Sequence, residues 1–204
     1  SDVCSSDLST TRIRPAAAAA ATRSANSHIT VRVAIAGSVA TDHLMRFPGR
    51  FNDSLMADQL HNVSLSFLVD DLQIRRGGVA ANICYGMGNL GGTPHLIAAV
   101  GRDFSEYGAW LSGVGVVCDH VLTSTAHHTA RFICTTDQEQ NQIASFYPGA
   151  MSEAPQIDLA AISQTVGGYD LVLIGPDDPE AMLRHTRTCR DLGVPFAEIG
   201  RAHV

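Results

Sequence analysis

Three groups of residues in this sequence have types and spacing suited to holding a small polar ligand. The first is Asp42, in Gly37-Ser38-Val39-Ala40-Thr41-Asp42-His43, just after the apolar, β-branched run Val31–Gly37. A carboxylate offers two acceptor oxygens at a spacing that suits a vicinal diol. Charge-assisted hydrogen bonds of this kind contribute about 1.5–3 kcal/mol net each. A turn or helix-capping aspartate is the plainer alternative, since Asp is common in such turns. The second group is Gly77-Gly78 with Asn82. Twin glycines let backbone approach a ligand closely, and the first turn of a following helix offers unpaired N–H groups. Asn82, four residues after Gly78, can face the same space; an ordinary turn before a helix fits the letters equally well. The third group is Phe132 and Phe146, on the two arms of an expected hairpin, where they can clamp a flat base. Either one alone also fits a core position.

Other chemistries are poorly served. Gly86-Met87-Gly88-Asn89-Leu90-Gly91 spells G-x-G-x-x-G, but a dinucleotide fingerprint must follow a strand and open a helix. Here the string sits about two turns into a helical pattern and ends in a Gly-Gly-Thr-Pro stop. All 14 basic residues are Arg, so a lysine-bearing phosphate loop is excluded, and G-x-S-x-G is absent. Arg75-Arg76 reads as solvated. The five cysteines contain no C-x-x-C pair, and His127-His128 lacks metal-ligand spacing. Scattered thiols suit a reducing, cytoplasmic setting, and no metal site built from protein ligands is expected.

The elements that must position these groups follow from pattern. At 204 residues and 45% apolar, the chain can bury a core as one α/β domain or as part of something larger. A net charge of −6 argues against a nucleic-acid groove. The longest apolar runs fall short of the ~20 residues of a membrane span. Strand-like runs at Val31–Gly37, His95–Val100, Val114–Leu122 and Leu171–Gly175 alternate with helical stretches at Val79–Met87, from Ser105 through Leu111, and from a cap at Asp177 or Asp178 to near Gly193. Val194–Ala197 begins another strand. That order predicts a mostly parallel sheet. Two regions break it, residues 44–74 and 127–150, where alternation and the polar turn Asp137–Gln142 predict half-exposed strands forming a small lid.

The ends read differently. Glu198–Val204 can be encoded by GAG ATC GGA AGA GCA CAC GTC, whose reverse complement translates to Asp2–Leu8. Residues 1–8 and 198–204 are therefore expected to be adapter-like, and 1–30 a non-native or disordered leader. The fold is expected over 31–197.

The strings Gly37–Asp42, Arg76–Asn82 and Gly101-Arg102-Asp103 together resemble the ribokinase-like (PfkB) carbohydrate kinases. Val63–Asp70, His128–Phe132 and Ile143–Met151 are similar to the bacterial adenosine kinases of that family. The resemblance implies a three-layer α/β/α fold with a β lid, of which this chain is the N-terminal portion. It implies transfer of phosphate from ATP, with Mg²⁺, to the 5′-hydroxyl of adenosine. By position, Asp42 would hold the ribose hydroxyls beside Gly77, Gly78 and Asn82. Ser38 and Ser66 would line the nucleoside pocket, and Phe132 and Phe146 would contact adenine from the lid. A homodimer through the lid is also implied. The family's Gly-rich segment ending in Gly-Asp, which supplies the anion hole and catalytic base, has no counterpart after Gly175, so no catalytic residue is expected in this chain. Two alternatives stand beside this reading: another PfkB sugar kinase of ribokinase or fructokinase type, and a non-catalytic nucleoside-binding module.

Overall fold

The computed structural model describes residues 31–54 and 66–200. The segments expected to be a leader (1–30) and, in part, an adapter-like tail (201–204), with residues 55–65 of the expected lid segment, lie outside the described residues, whereas Glu198, expected beyond the fold, ends strand β10. In chain order the first elements are β1 (Val33–Ala36), β2 (Ala40–Arg46), a single turn α1 (Phe51–Ser54), β3 (Asp71–Gly77), α2 (Val79–Asn89), β4 (His95–Ile97) and β5 (Ala99–Val100). There follow α3 (Ser105–Ser112), β6 (Leu122–Thr123), β7 (Ala130–Thr136), β8 (Gln142–Tyr147), α4 (Leu159–Val166), β9 (Leu171–Ile174), α5 (Pro179–Leu192) and β10 (Phe196–Glu198).

The central sheet runs β10-β9-β1-β4, with every pairing parallel. Val33-Ala34-Ile35-Ala36 is buried throughout, as a strand covered on both faces must be. Its side chains alternate between two cores. Ile35 joins Leu96, Cys84, Tyr107 and Leu111 under α2 and α3. Ala34 and Ala36 join Val172, Ile174, Ala181 and Cys189 under α4 and α5. These are the three expected layers. Helix ends obey local chemistry: the Asp178 carboxylate accepts from Glu180 N and Ala181 N ahead of Pro179, and Gly193 closes α5 in the left-handed region. The G-x-G-x-x-G string occupies the end of α2 and its stop, where Leu90 N donates to Gly86 O.

A second sheet, β3-β2-β7-β8, forms the lid; β2 is antiparallel to β3 and parallel to β7, and β7 and β8 make the expected hairpin. Three sequence expectations need correction. Asp42 is not in a turn after the first strand but in the middle of β2. That strand carries Thr41, Asp42 and His43, a weak strand signal, yet pairing on both edges holds it extended. The run Val114–Leu122 is not a strand: only Val117 bridges to His95 before the two-residue β6, because Gly115 and Asp119-His120 break it. His95–Val100 divides at Ala98, beyond which the chain leaves β1 and pairs with β6.

Candidate functional site

Beyond the carboxyl ends of β1 and β9, beneath the lid sheet, lies a cavity of about 770 Å³. Ligands of open parallel sheets sit at this end. Ser38, Asp42, Gly78, Asn82, Phe132 and Phe146 all line it. Register explains much of that convergence. Asp42 is the Cα partner of Phe132 on β7, and Phe132 is the partner of Phe146 on β8. Partners on adjacent strands project to the same face, so a carboxyl and two aromatic rings form one row across the lid.

The twin-glycine turn closes the site from the core side. Gly77 ends β3 opposite Ala40, and a Cβ there would stand 2.6 Å from Asp42 Oδ2. Gly77 therefore does not line the cavity but makes room for the carboxyl that does. Gly78 has φ +93, and a Cβ on it would meet Ser38 O at 2.5 Å, so both its conformation and its surroundings require glycine. Ser38 ties the turn to β1: its Oγ accepts from Val79 N at 3.1 Å and its carbonyl accepts from Ala80 N at 3.1 Å. These satisfy amides of the first turn of α2 that otherwise lack partners. On the far side the buried Tyr107 hydroxyl donates to Gly77 O at 2.9 Å. Ser38 N donates to Pro176 O at 3.0 Å, which brings the loop after β9 against the same space.

Ser66 is not brought to the site. It is exposed and lies upstream of β3, whose first residue Asp71 pairs with Arg46 at the lid tip. Met151, Pro176, Asp177, Pro179, Met182, Glu198 and Gly200 also line the cavity, and none of them was singled out as a ligand contact from the sequence. Asp177 follows a buried strand and precedes a helix cap, so it reads as turn chemistry until the fold brings it to the cavity.

The electrostatics are acidic. Burial raises the Asp42 pKa and the His43 charge lowers it. Among the described residues no hydrogen bond from protein reaches the Asp42 carboxyl, leaving its oxygens open to a ligand. Burial pushes Asp177 up to about 7, its hydrogen bond from Asp178 N opposes that, and the Asp178 charge adds to it. Among the described residues no Arg or His lines the cavity. Arg76, read as solvated, instead lies over the Trp110 ring at 4.9 Å and pairs with Glu106. Where β7 leaves the core, Asp103 accepts from Thr129 N (2.9 Å), Thr129 Oγ1 (2.8 Å) and an Arg131 guanidinium nitrogen (3.0 Å).

ATP and Mg²⁺ need a phosphate cradle and converging oxygen ligands. Among the described residues no three His, Cys, Asp or Glu side chains converge on a cation position. The described residues do not by themselves fit the metal.

The pattern of the pfkB family of carbohydrate kinases matches residues 37–201. The nucleoside kinase of Methanothermobacter thermautotrophicus is 27% identical over 145 residues, 70% of this chain and 46% of that protein. The solved nucleoside kinase of Burkholderia thailandensis in complex with inosine is 32% identical, with a TM-score of 0.65, and the match covers 81% of this chain and 51% of that one. A ribokinase of Cryptococcus neoformans solved with ADP shares the fold at a TM-score of 0.64 and 19% identity, over 82% of this chain and 48% of that one. The chain thus spans about half the length of the relatives it matches.

Proposed function

This chain belongs to the pfkB family of carbohydrate kinases, and on that premise we propose that its cavity is the nucleoside-binding part of an ATP-dependent adenosine kinase. The observation that carries the reading is the row Asp42–Phe132–Phe146 facing one cavity. A carboxylate can accept from both hydroxyls of a ribose diol, and two rings on the same sheet face can hold a flat base at the other end of the same ligand. The similarity to nucleoside kinases, one of them solved with inosine, supports a nucleoside over a free sugar.

In this reading the chain's residues bind and orient. Asp42 accepts from the ribose 2′- and 3′-hydroxyls, and Gly77 leaves it room. Ser38 and Asn82 border the sugar, and Phe132 and Phe146 cover the base and exclude water from that side. Fixing the ribose fixes its 5′-hydroxyl, and positioning supplies much of the catalysis in phosphoryl transfer. ATP would donate the phosphoryl group, and the scattered thiols of the sequence suit a cytoplasmic setting.

Calorimetric titration with adenosine, inosine, ribose and fructose tests the assignment. Adenosine is expected to bind tightest and ribose at least about tenfold more weakly, since base stacking is worth about 1–3 kcal/mol. Ribose or fructose binding as tightly as adenosine would transfer the cavity to a sugar kinase.

The lid's outer face supports a second element of the proposal, pairing with another copy of the chain. Leu72, Ile74, Ile133, Ile143 and Tyr147 are exposed there, and the register sets Leu72 and Ile143 in one row through Met45, with Ile74 and Ile133 in the next. A contiguous apolar patch of this kind suits an interface. Sedimentation should show a dimer that Ile74→Asp converts to monomer; a monomeric wild-type chain would remove this element alone.

A further inference from the structure

We propose that Asp177 is a second ligand-binding carboxyl of this cavity, which presents a hydrogen-bond donor to an acceptor atom of the bound nucleoside. The proposal rests on the nucleoside reading and adds a residue that neither the motif pattern nor the lid row contains. Asp177 lies in the loop Gly175–Asp178 between β9 and α5, and it lines the same cavity as Asp42, Phe132 and Phe146. Its Oδ1 accepts from Asp178 N at 2.9 Å. Among the described residues its Oδ2 has no partner. One oxygen is thus committed to the backbone, and the other is free for a ligand.

The charges around it decide which protonation state faces the ligand. Asp178 adjoins it and is committed as the cap of α5. Asp42 enters the cavity from β2 and Glu198 from β10, and the nearest flank of α2 contributes neutral Asn82. No cationic side chain among the described residues lines the cavity. Burial therefore favours the neutral acid, and the Asp178 charge reinforces it. With Oδ1 held as an acceptor, the proton belongs on Oδ2, which then donates. Burial raises the Asp42 pKa too, with the His43 charge opposing it in part; Asp42 faces the ribose hydroxyls and takes the opposite role of acceptor. Two carboxyls in one cavity are thus divided between accepting and donating by their surroundings. Purine ring nitrogens, a purine carbonyl and the ribose ring oxygen are all acceptors that such a donor can serve.

Adenosine affinity should then fall as Asp177 loses its proton, by roughly tenfold between pH 6 and pH 8 for a group that titrates near 7. Asp177→Asn tests this, because Asn keeps an acceptor for Asp178 N and supplies a permanent N–H donor in place of the acid. The variant is expected to bind at pH 8 as the wild type does at pH 6, with a flat profile between. Asp177→Leu, similar in size but without a donor, should bind weakly at both pH values while melting at the wild-type temperature or above. Adenosine binding by the wild-type chain with the same pH slope in Asp177→Asn, or undiminished affinity in Asp177→Leu, would overturn the role of Asp177 and leave the nucleoside reading standing. No adenosine binding by the wild-type chain at either pH would overturn both.

Discussion

Asp42 and Phe132 are direct Cα partners on adjacent parallel strands, so the carboxyl and the ring leave the lid sheet on one face although 90 residues separate them in sequence. A ligand that touches both must carry a hydroxylated part and a flat apolar part a few ångströms apart. Replacing Asp42 with Leu should cost adenosine affinity at least about 10- to 100-fold, the value of one charge-assisted hydrogen bond. The melting temperature should hold or rise, because the half-buried carboxyl has no protein partner to lose. Calorimetry with 3′-deoxyadenosine gives the cross-check: the deoxy ligand, which keeps only the 2′-hydroxyl, should bind the wild type more weakly than adenosine does and lose less than adenosine does in Asp42→Leu.

The ring contributes separately. Phe132→Ala should weaken adenosine by about tenfold or more through lost stacking and leave ribose affinity within about twofold. Equal losses for both ligands would mean that Phe132 acts on the lid's structure and not on the base.

The two glycines should fail in different ways. Gly78→Ala forces a positive φ on alanine and a contact with Ser38 O, so the chain should lose about 1–3 kcal/mol of stability in denaturant unfolding. Gly77→Ala pushes on the Asp42 carboxyl. Its chief effect should be on adenosine affinity, with a smaller change in unfolding.

Asp103 gives a stability test with a definite pH sign. Burial alone would raise its pKa, but hydrogen bonds from Thr129 and Arg131 outweigh burial and bring it to about 2. A carboxyl lowered in the folded state stabilises fully above its unfolded pKa of about 4 and loses that contribution as pH falls toward 2. Asp103→Asn should therefore cost about 1–2 kcal/mol near neutrality, a figure discounted for the carboxylate's access to solvent. The difference from wild type should shrink between pH 4 and pH 2 in urea unfolding.

Much of the site was legible in residue order because local rules governed it. Gly78 could be read as a helix entrance, and the hairpin turn Asp137–Gln142 put Phe132 and Phe146 on neighbouring arms. The central sheet was legible from buried runs such as Val33–Ala36 and Leu171–Ile174. The strand identity of Asp42 was hidden, because Ala-Thr-Asp-His has little strand character and is held by two partner strands remote in sequence. Asp177 was hidden for a related reason: a turn aspartate at the start of a helix is ordinary, and it takes the folded contacts, such as the bond from Ser38 N to Pro176 O, to bring its loop against the twin-glycine turn. Ser66, carried over by resemblance, is exposed five residues upstream of β3 and is not among the residues that line the cavity.

A crystal structure of the chain with adenosine tests the central claim most directly. The account expects the ribose 2′- and 3′-oxygens within about 3.2 Å of the Asp42 carboxyl oxygens, with the purine against Phe132 and Phe146. Adenosine seated away from this cavity, or in it with the diol turned from Asp42, would contradict the account.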